Sequence, residues 1–413
     1  MSTFPVVEIC AGAGGQALGL EMAGFDHALA VELDSNACNT LRANRSTWKI
    51  AEGDVADPAV WRPADYRGEV ALLAGGVPCP PFSIAGKQLG ANDERDLFAW
   101  AVEQAAVVQP RALLLENVRG LSMPRFAGYR QHVLDRLAQF GYIAEWRLLQ
   151  ASDFGVPQLR PRFILVALKP DDAPFFKWPE PVGAPPTVGR SLVDLMGANG
   201  WGGADAWAGK ANKIAPTIVG GSKKHGGADL GPTRAKRAWA EMGVDALGLA
   251  DAPPSPDDRF QIGPKLTCEM VARIQGWSDG YPWEFTGRKT SRYRQIGNAF
   301  PPPVAHAVGD AIMRAFRREG TARKLESTEH DPIYKALRSS DDFISQERLM
   351  KLAGLADPAE LERRISLLSR DFEVKIENSG AKTVYRLGNF KAFVGQEDHD
   401  RHDLFLKHRA HIS

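Results

Sequence analysis

Short apolar runs alternate with amphipathic stretches along the first 170 residues of the chain. Five runs have the length and aliphatic content of buried strands, at 6–9, 28–31, 70–74, 112–115 and 163–167. Four stretches between them repeat apolar positions three and four residues apart, as helices do, at 16–23, 35–43, 96–108 and 128–139. This alternation predicts an α/β fold with a doubly wound, mostly parallel sheet.

The pattern changes after residue 179, where the α/β alternation stops. Residues 180–270 are rich in Gly, Pro and Trp and contain a glycine-flanked basic segment at 220–227. Such a composition predicts a small irregular domain with surface loops, although a flexible insertion is the alternative. We therefore separate an α/β domain at 1–179 from the irregular domain at 180–270.

Helical and strand patterns return in the last ninety residues. Asp357, Pro358 and Glu360 form a strong helix start, with an N-cap, Pro at the first position and a reciprocal Glu. A second helix is expected at 345–353, and 373–387 alternates around a turn as a hairpin does. Three helices followed by a hairpin predict a winged helix-turn-helix-like α+β domain. Such domains bind DNA or serve for dimerisation, and the mixed charge of the second helix favours neither use.

Composition is ordinary for a soluble globular protein, with 44% hydrophobic and 24% charged residues among 413. No apolar run approaches the roughly 20 residues that span a membrane, and a strand begins too early for a signal peptide. The four cysteines are scattered without a CxxC pair, which disfavours disulfides and structural zinc. We therefore expect a cytoplasmic protein without a membrane segment. The net charge of +1 is uninformative, but the basic residues cluster in Gly-rich segments suited to phosphate contacts.

One cysteine, Cys79, follows the third apolar run in the stretch Gly-Gly-Val-Pro-Cys-Pro-Pro-Phe-Ser that begins at Gly75. Ligands and chemistry gather where the parallel strands of such sheets end, and flanking prolines would hold a thiol in place there. The arrangement indicates a positioned nucleophile. A buried structural cysteine is the alternative for this residue taken alone.

The first strand ends in Cys-Ala-Gly-Ala-Gly-Gly at 10–15, directly before a helix. Glycines there let a backbone approach a ligand, but the spacing is not that of a pyrophosphate-binding loop. Glu32 ends the second strand, where an acid can hold ribose hydroxyls, and Asp54 follows in a third loop. Together these segments predict a pocket for an adenine nucleoside without phosphates.

Charged residues also mark two later strands. Glu116 follows three leucines, so a carboxylate at this position needs a partner; a structural salt bridge or helix cap is the alternative to proton exchange. Arg160 and Arg162 precede the fifth apolar run and are two residues apart in an extended segment, so we expect them to project together as an anion- or carbonyl-binding fork.

These motifs, in this order over residues 5–315, resemble the cytosine-C5 DNA methyltransferases that use S-adenosylmethionine. The resemblance implies a class I, Rossmann-like methyltransferase domain, with the irregular domain as the target-recognition domain. Pro78-Cys79 resembles the nucleophile motif, 116–118 the catalytic glutamate motif, and Gln158, Arg160 and Arg162 the QxRxR motif. Residues 273–277 and 295–300 resemble two late motifs, the second of which completes the cofactor pocket. The resemblance therefore implies a return segment at 271–320 that completes the first domain, and it leaves 325–413 as a further domain. The cofactor residues implied are Cys10, Ala11, Gly12, Gly14, Gly15, Glu32, Leu33, Asp54, Val55, Pro78, Asn298 and Ala299.

The resemblance also implies a mechanism. The Cys79 thiolate would add to C6 of a cytosine flipped out of the duplex, while Glu116 acts at N3 and Arg162 holds O2, with Arg160 supporting it or a phosphate. The methyl group would then pass from S-adenosylmethionine to C5, leaving S-adenosylhomocysteine, with no metal. The predicted DNA-contacting residues are Ser83, Gln158, Gly220, Gly221, Ser222, Lys223, Lys224, His225, Arg234, Arg288 and Arg292.

Within this resemblance we expect an enzyme that acts as a monomer on double-stranded DNA, as the protective partner of a restriction endonuclease. Two alternatives remain at this stage. The chain could methylate RNA cytosine, as a tRNA-acting branch of the family does, although that branch has a shorter recognition region. It could instead be chiefly a DNA-binding regulator that acts through its C-terminal domain.

Overall fold

The chain folds around a seven-stranded sheet in a computed structural model that describes residues 4–77, 97–220, 228–325, 331–379 and 382–390. The strands are β1 Pro5–Ile9, β2 Asp26–Glu32, β3 Ile50–Glu52, β4 Leu72–Gly75, β5 Ala112–Val118, β6 Ile143–Gln150 and β7 Pro161–Leu168. Their order is β3-β2-β1-β4-β5-β7-β6, and only β7 runs antiparallel to its neighbours. The chain turns from one half of the sheet to the other between β1 and β4, which is where α/β sheets bind ligands.

Helices cover both faces of this sheet. The first four are α1 Gly15–Met22, α2 Ser35–Asn44, α3 Leu97–Val108 and α4 Ala127–Gln139. The α2 helix begins at Asp34, whose carboxylate accepts the backbone N–H groups of Asn36 and Ala37. The five strands and four helices expected in this region are confirmed, and β3 and β6 are additional strands that the sequence pattern did not predict.

The regular elements in the described part of residues 180–325 are helices joined by long irregular segments. Their helices are α5 Val188–Gly197, α6 Ala204–Lys210, α7 Thr233–Glu241, α8 Cys268–Ile274, α9 Lys289–Asn298 and α10 Pro302–Phe316. Buried Leu192, Trp207, Trp239 and Met270 form the centre of a separate apolar cluster in this part of the chain. The departure from α/β alternation is therefore real.

The α10 helix returns to the sheet and packs along α1. A Cβ added at Gly19 would lie 2.5 Å from the Cβ of Ala305 and 2.5 Å from the backbone oxygen of Pro302. The absence of a side chain at Gly19 therefore allows the two helix backbones to approach closely. Residues of α10 share a core with the sheet, so this face of the sheet depends on a segment that is nearly 300 residues away in the chain.

The described residues after 330 form an α+β unit, here called the C-terminal module (residues 331–390). Its elements are α11 Pro332–Arg338, β8 Ile344–Ser345, α12 Gln346–Ala353, α13 Pro358–Asp371, β9 Phe372–Ser379 and β10 Lys382–Phe390. The three strands form an antiparallel sheet in the order β8-β10-β9. Asp357 caps α13 through the N–H of Ala359, as the sequence predicted.

The C-terminal module packs against α4 and shares its apolar core with the large sheet. Tyr334 donates a hydrogen bond from its hydroxyl to Oδ2 of Asp135, at 2.7 Å. The rings of Phe372 and His132 meet edge to face at 5.3 Å. A Cβ at Gly128 would lie 2.8 Å from a methyl group of Leu368, so α13 and α4 are in close contact. Among the described helices, none is long and apolar enough to cross a membrane.

Candidate active site

Glu116 and Arg162 form an ion pair at the adjoining ends of β5 and β7. The antiparallel pairing places Val118 opposite Arg162, so the two charged side chains lie within reach of each other. Nε of Arg162 lies 2.5 Å from Oε1 of Glu116, and the side chains are only 10% and 12% exposed. Burial lowers the pKa of Arg162, and the Glu116 carboxylate opposes that shift. The partner that a carboxylate after three leucines requires is thus Arg162.

The loop that leads to Cys79 begins beside this pair. A Cβ added at Gly76 would lie 3.5 Å from Oε2 of Glu116 and 3.8 Å from the backbone oxygen of Cys10. Asn117 donates from its side-chain amide to the backbone oxygen of Val77, at 3.3 Å. Pro78, Cys79 and Ser83 themselves lie outside the described residues.

The loop after β1 is held by Glu32. Its carboxylate accepts the N–H groups of Gly12 at 2.7 Å, Leu33 at 2.9 Å and Asp34 at 2.8 Å, which ties the loop to the end of β2. Burial raises the pKa of Glu32, and the three N–H groups oppose that shift. A Cβ at Gly12, where φ is +55°, would meet nothing within 4 Å. The backbone at Gly12 therefore borders open space that a ligand could fill.

The third loop lies near the first. Oδ1 of Asp54 accepts the N–H of Ala56, and the indole N–H of Trp61 donates to the backbone oxygen of Val55 at 2.6 Å. Burial raises the pKa of the Cys10 thiol well above its usual value, and the carboxylates of Glu32 and Asp54 add to that shift. The predicted cofactor residues of all three loops are therefore brought together.

The end of α9 completes this cluster. A Cβ at Gly15 would lie 2.4 Å from the backbone oxygen of Phe300 and 3.0 Å from the Cβ of Ala299. Asn298, which directly precedes Ala299, is exposed. The residues predicted at 298 and 299 thus adjoin the start of α1, although they are almost 300 residues away in sequence.

Arg160 does not form the predicted fork with Arg162. It is 1% exposed and donates to three backbone oxygens, those of Ile218 at 2.7 Å, Gly297 at 2.8 Å and Ala299 at 3.0 Å. Its guanidinium joins two distant segments to the start of β7. These contacts indicate a positioning role for Arg160, whereas the sequence predicted a catalytic one.

Gln158 and Gly220 are also buried, which contradicts their prediction as DNA contacts. Gln158 is 0% exposed, accepts the N–H of Ile218 at 2.9 Å and donates to the side-chain oxygen of Gln275. A Cβ at Gly297 would lie 2.6 Å from the Cα of Gly220, so these two backbones pack directly together. Gln158 thus ties the 215–220 segment to the end of α8, and Gly220 packs that segment against α9.

The remaining predicted DNA contacts fall into two groups. Arg234 and Arg288 are exposed, and Arg292 is half-buried. Gly221, Ser222, Lys223, Lys224 and His225 lie outside the described residues.

Two residues near the site were missed by sequence reasoning. The Gln275 amide donates to the backbone oxygen of Ile296 at 2.8 Å, and the indole of Trp283 donates to that of Ala13 at 2.9 Å. Gln275 lies within the segment 273–277, which resembles a late family motif, so the sequence did contain a signal for its role. No pattern in the sequence marks Trp283.

Sequence comparison agrees with this architecture. The profile of the C-5 cytosine-specific DNA methylase family matches residues 4–314, and the chain belongs to that family. It is a DNA cytosine-5-methyltransferase.

Two curated relatives differ in how much of the chain they match. The Type II methyltransferase M.NaeI of Lentzea aerocolonigenes is 67% identical over 415 residues, covering 100% of both chains. The Type II methyltransferase M.NgoMIV of Neisseria gonorrhoeae is 51% identical over 320 residues, which are 76% of this chain and 99% of that protein. The first alignment thus covers the whole of this chain, whereas the second leaves about a quarter of it unmatched.

Solved structures share the fold at low identity. A mutant of Spodoptera frugiperda DNMT2 aligns with a TM-score of 0.53 and 17% identity over 75% of this chain and 100% of its own. The Entamoeba histolytica methyltransferase EhMeth aligns with a TM-score of 0.51 and 12% identity over 76% of this chain and 99% of its own.

Proposed function

We propose that the chain transfers a methyl group from S-adenosylmethionine to C5 of a cytosine that is flipped out of a specific duplex sequence, through a covalent adduct between Cys79 and C6. The observation that carries this proposal is the Glu116–Arg162 pair, which lies beside the loop leading to Cys79. An acid and a guanidinium with little exposure at a strand end can hold the polar edge of one base.

The three loops fit S-adenosylmethionine. Gly12 borders open space, the Glu32 carboxylate accepts the Gly12 N–H, and the Glu32 and Asp54 carboxylates both act on Cys10, which suits the hydroxyl and amino groups of a nucleoside. Glu32 would hold the ribose, Asp54 the adenine amino group, and Asn298 with Ala299 the far side of the pocket. The bound cofactor supplies a methyl group on a positively charged sulfur, which is a good leaving group.

The reaction needs electron density at C5, which cytosine lacks. The Cys79 thiolate supplies it by forming a bond to C6, so that the ring electrons become available at C5. Glu116 favours the attack by holding a proton at N3, and Arg162 holds the O2 oxygen. After methylation the C5 proton is lost, and the bond between Cys79 and C6 breaks.

We infer a biological setting from the relatives' names. Both first relatives are Type II methyltransferases, which supports a modification enzyme that protects double-stranded DNA from a restriction endonuclease partner. Their bacterial hosts and the scattered cysteines of this chain support a cytoplasmic location.

We also propose four domains with the boundaries 1–179, 180–270, 271–320 and 325–413. The C-terminal module has the order helix, strand, helix, helix and hairpin, which supports assigning it as winged-helix-like.

The test is transfer of labelled methyl groups to unmethylated genomic DNA, followed by bisulfite sequencing. Wild type should mark cytosine C5 in one short motif, and Cys79→Ala should mark none. Glu116→Gln should be slower by roughly 10²–10⁴-fold. Cys268→Ala is the matched control, because it removes a buried thiol that hydrogen-bonds to the backbone oxygen of Lys289 in α9, and it should leave activity intact.

Two outcomes would contradict the proposal. Retained activity in Cys79→Ala would remove the assigned nucleophile. Label that enters tRNA while DNA stays unlabelled would overturn the assigned substrate.

A further inference from the structure

The C-terminal module carries a concave site on the outer side of its small sheet. The cavity has a volume of about 310 Å³ and lies between the end of α11 and the β9–β10 hairpin. Three cations line it, Arg338, Lys375 and Arg386, together with the carboxylates of Asp341 and Glu373. The lining therefore carries a net charge of +1.

Two of these cations lie opposite each other in the small sheet. Lys375 and Arg386 are paired across the β9–β10 ladder, where like charges destabilise a sheet. Glu373, two residues before Lys375 on β9, also lines the cavity, so the charge of this pair is only partly offset. Such a pair becomes favourable when an anion binds between the two cations.

The site is partly preorganised. The Arg386 guanidinium lies over the ring of Phe343, 5.1 Å from its centre, which restricts the arginine. Arg338 hydrogen-bonds to Tyr334, the residue that anchors the module to α4. The cations are therefore held by elements that are fixed to the catalytic part of the enzyme.

The α13 helix offers no comparable surface. Its Arg363 and Arg364 both bind Glu360, at 2.8 and 2.9 Å. Its later turns pack on α4 through Leu368. The positive charge of α13 is thus neutralised within the helix, and part of its surface is covered.

We propose that Arg338, Lys375 and Arg386 form a second DNA contact, which binds a backbone phosphate outside the methylated sequence. The enzyme acts on a polyanion, and the lining of this cavity is net positive and includes two cations paired across the hairpin, between which a phosphodiester could bind. The catalytic site contacts the recognised sequence, and the hairpin contacts the flanking duplex.

The test compares the full chain with Lys375→Gln/Arg386→Gln on two duplexes that share one methylation site. One duplex is barely longer than that site, and the other has long flanks. On the long duplex, the variant should bind roughly tenfold more weakly, and the slope of log K against log salt should fall by about 1 to 2. On the short duplex, affinity and kcat should match wild type, so the catalytic assignment is tested separately.

Arg363→Gln is the matched control, because it removes an exposed cation of the same module that is already paired with Glu360. It should behave as wild type on both duplexes. Lys375→Gln alone should show a smaller loss of long-duplex affinity and a smaller fall in the salt slope. This single variant keeps the proposal testable if the double variant does not fold.

Three results would overturn the proposal. The first is an unchanged salt slope on the long duplex. The second is an equal loss with Arg363→Gln. The third is a change in oligomeric state, or in binding of inorganic phosphate, without a change in long-duplex affinity.

Discussion

The two arginines that precede β7 are only two residues apart, yet they act on different parts of the molecule. Arg162 pairs with the Glu116 carboxylate, and Arg160 supplies hydrogen bonds to three backbone oxygens from two distant segments. Buried carbonyl groups without donors are costly, so Arg160 stabilises the junction between the 215–220 segment and α9.

Arg160→Lys should therefore lower stability, because one ammonium group on a flexible stem cannot reach three separated oxygens. We expect a loss of about 2–4 kcal/mol in the free energy of unfolding. Thermal and urea unfolding followed by circular dichroism measure it, with exposed Arg190→Lys as control. If Arg160→Lys unfolds like wild type but no longer methylates, Arg160 acts on the substrate after all.

The described cysteines should be unreactive near neutral pH. Burial raises the pKa of Cys38 to about 12, and it raises those of Cys10 and Cys268 as well. Since thiolate forms only as pH approaches the pKa, Cys38 would be roughly 10⁻⁴ thiolate at pH 8.

Iodoacetamide at pH 8, followed by peptide mass spectrometry, should then label Cys79 much faster than the other three. Prior incubation with cytosine-containing duplex should slow that labelling. Fast labelling of Cys38 or Cys268 in the folded protein would contradict these pKa shifts.

At the scale of elements, close helix packing depends on single glycines. Gly19 lies where α1 meets α10, and a methyl group there would collide with the Pro302 backbone and Ala305. Gly19→Ala should destabilise the protein by about 1–3 kcal/mol, because backbone atoms cannot move aside cheaply.

Gly209→Ala is the matched control for this prediction. Gly209 is an exposed position of α6, and a Cβ there would meet nothing within 4 Å, so the change should be neutral or slightly stabilising. Urea unfolding of both variants gives the comparison. Equal stability of the two would show that α1 and α10 can separate without cost.

The elements that sequence predicted are the ones whose pattern is local. An apolar run such as Leu113–Leu115 predicts a buried strand without further information. The strands that were missed lack such a run, because β3 has only three residues and β6 mixes buried and exposed positions at the sheet edge. The helices α5 to α7 were not predicted, because the Gly and Pro content of their surroundings hides short helical repeats.

The site was predictable to a similar degree. The segment 10–15, Glu32, Asp54, Glu116 and Arg162 were predicted from their positions at strand ends and from the order of the motifs. The burial of Arg160 and Gln158 depends on partners 58 to 139 residues away, which no local spacing reveals.

At the scale of the whole molecule, the C-terminal module and the sheet share one apolar core. The sequence indicated the module's elements but not this attachment. Nothing in the sequence around Gly128 and His132 shows that another part of the chain covers this surface of α4. The attachment predicts that the two parts unfold together.

Phe372→Ala should test that coupling, since Phe372 is buried against α4 and Tyr334. We expect a loss of about 3–5 kcal/mol and a lower unfolding temperature for the whole chain in calorimetry. Ile376→Ala, on the exposed part of β9, should change stability by less than about 1 kcal/mol. A separate early transition of the module would contradict a shared core.

The return of α10 onto α1 has a consequence during synthesis. The first strand and helix leave the ribosome early, but the helix that covers them is finished only at Phe316. At about 5–20 residues per second, the nascent chain remains without this cover for roughly 15–60 s. The apolar surface of α1 that α10 later covers is exposed throughout that interval. A cell that newly acquires this gene therefore holds incomplete chains for that time before it has a working enzyme.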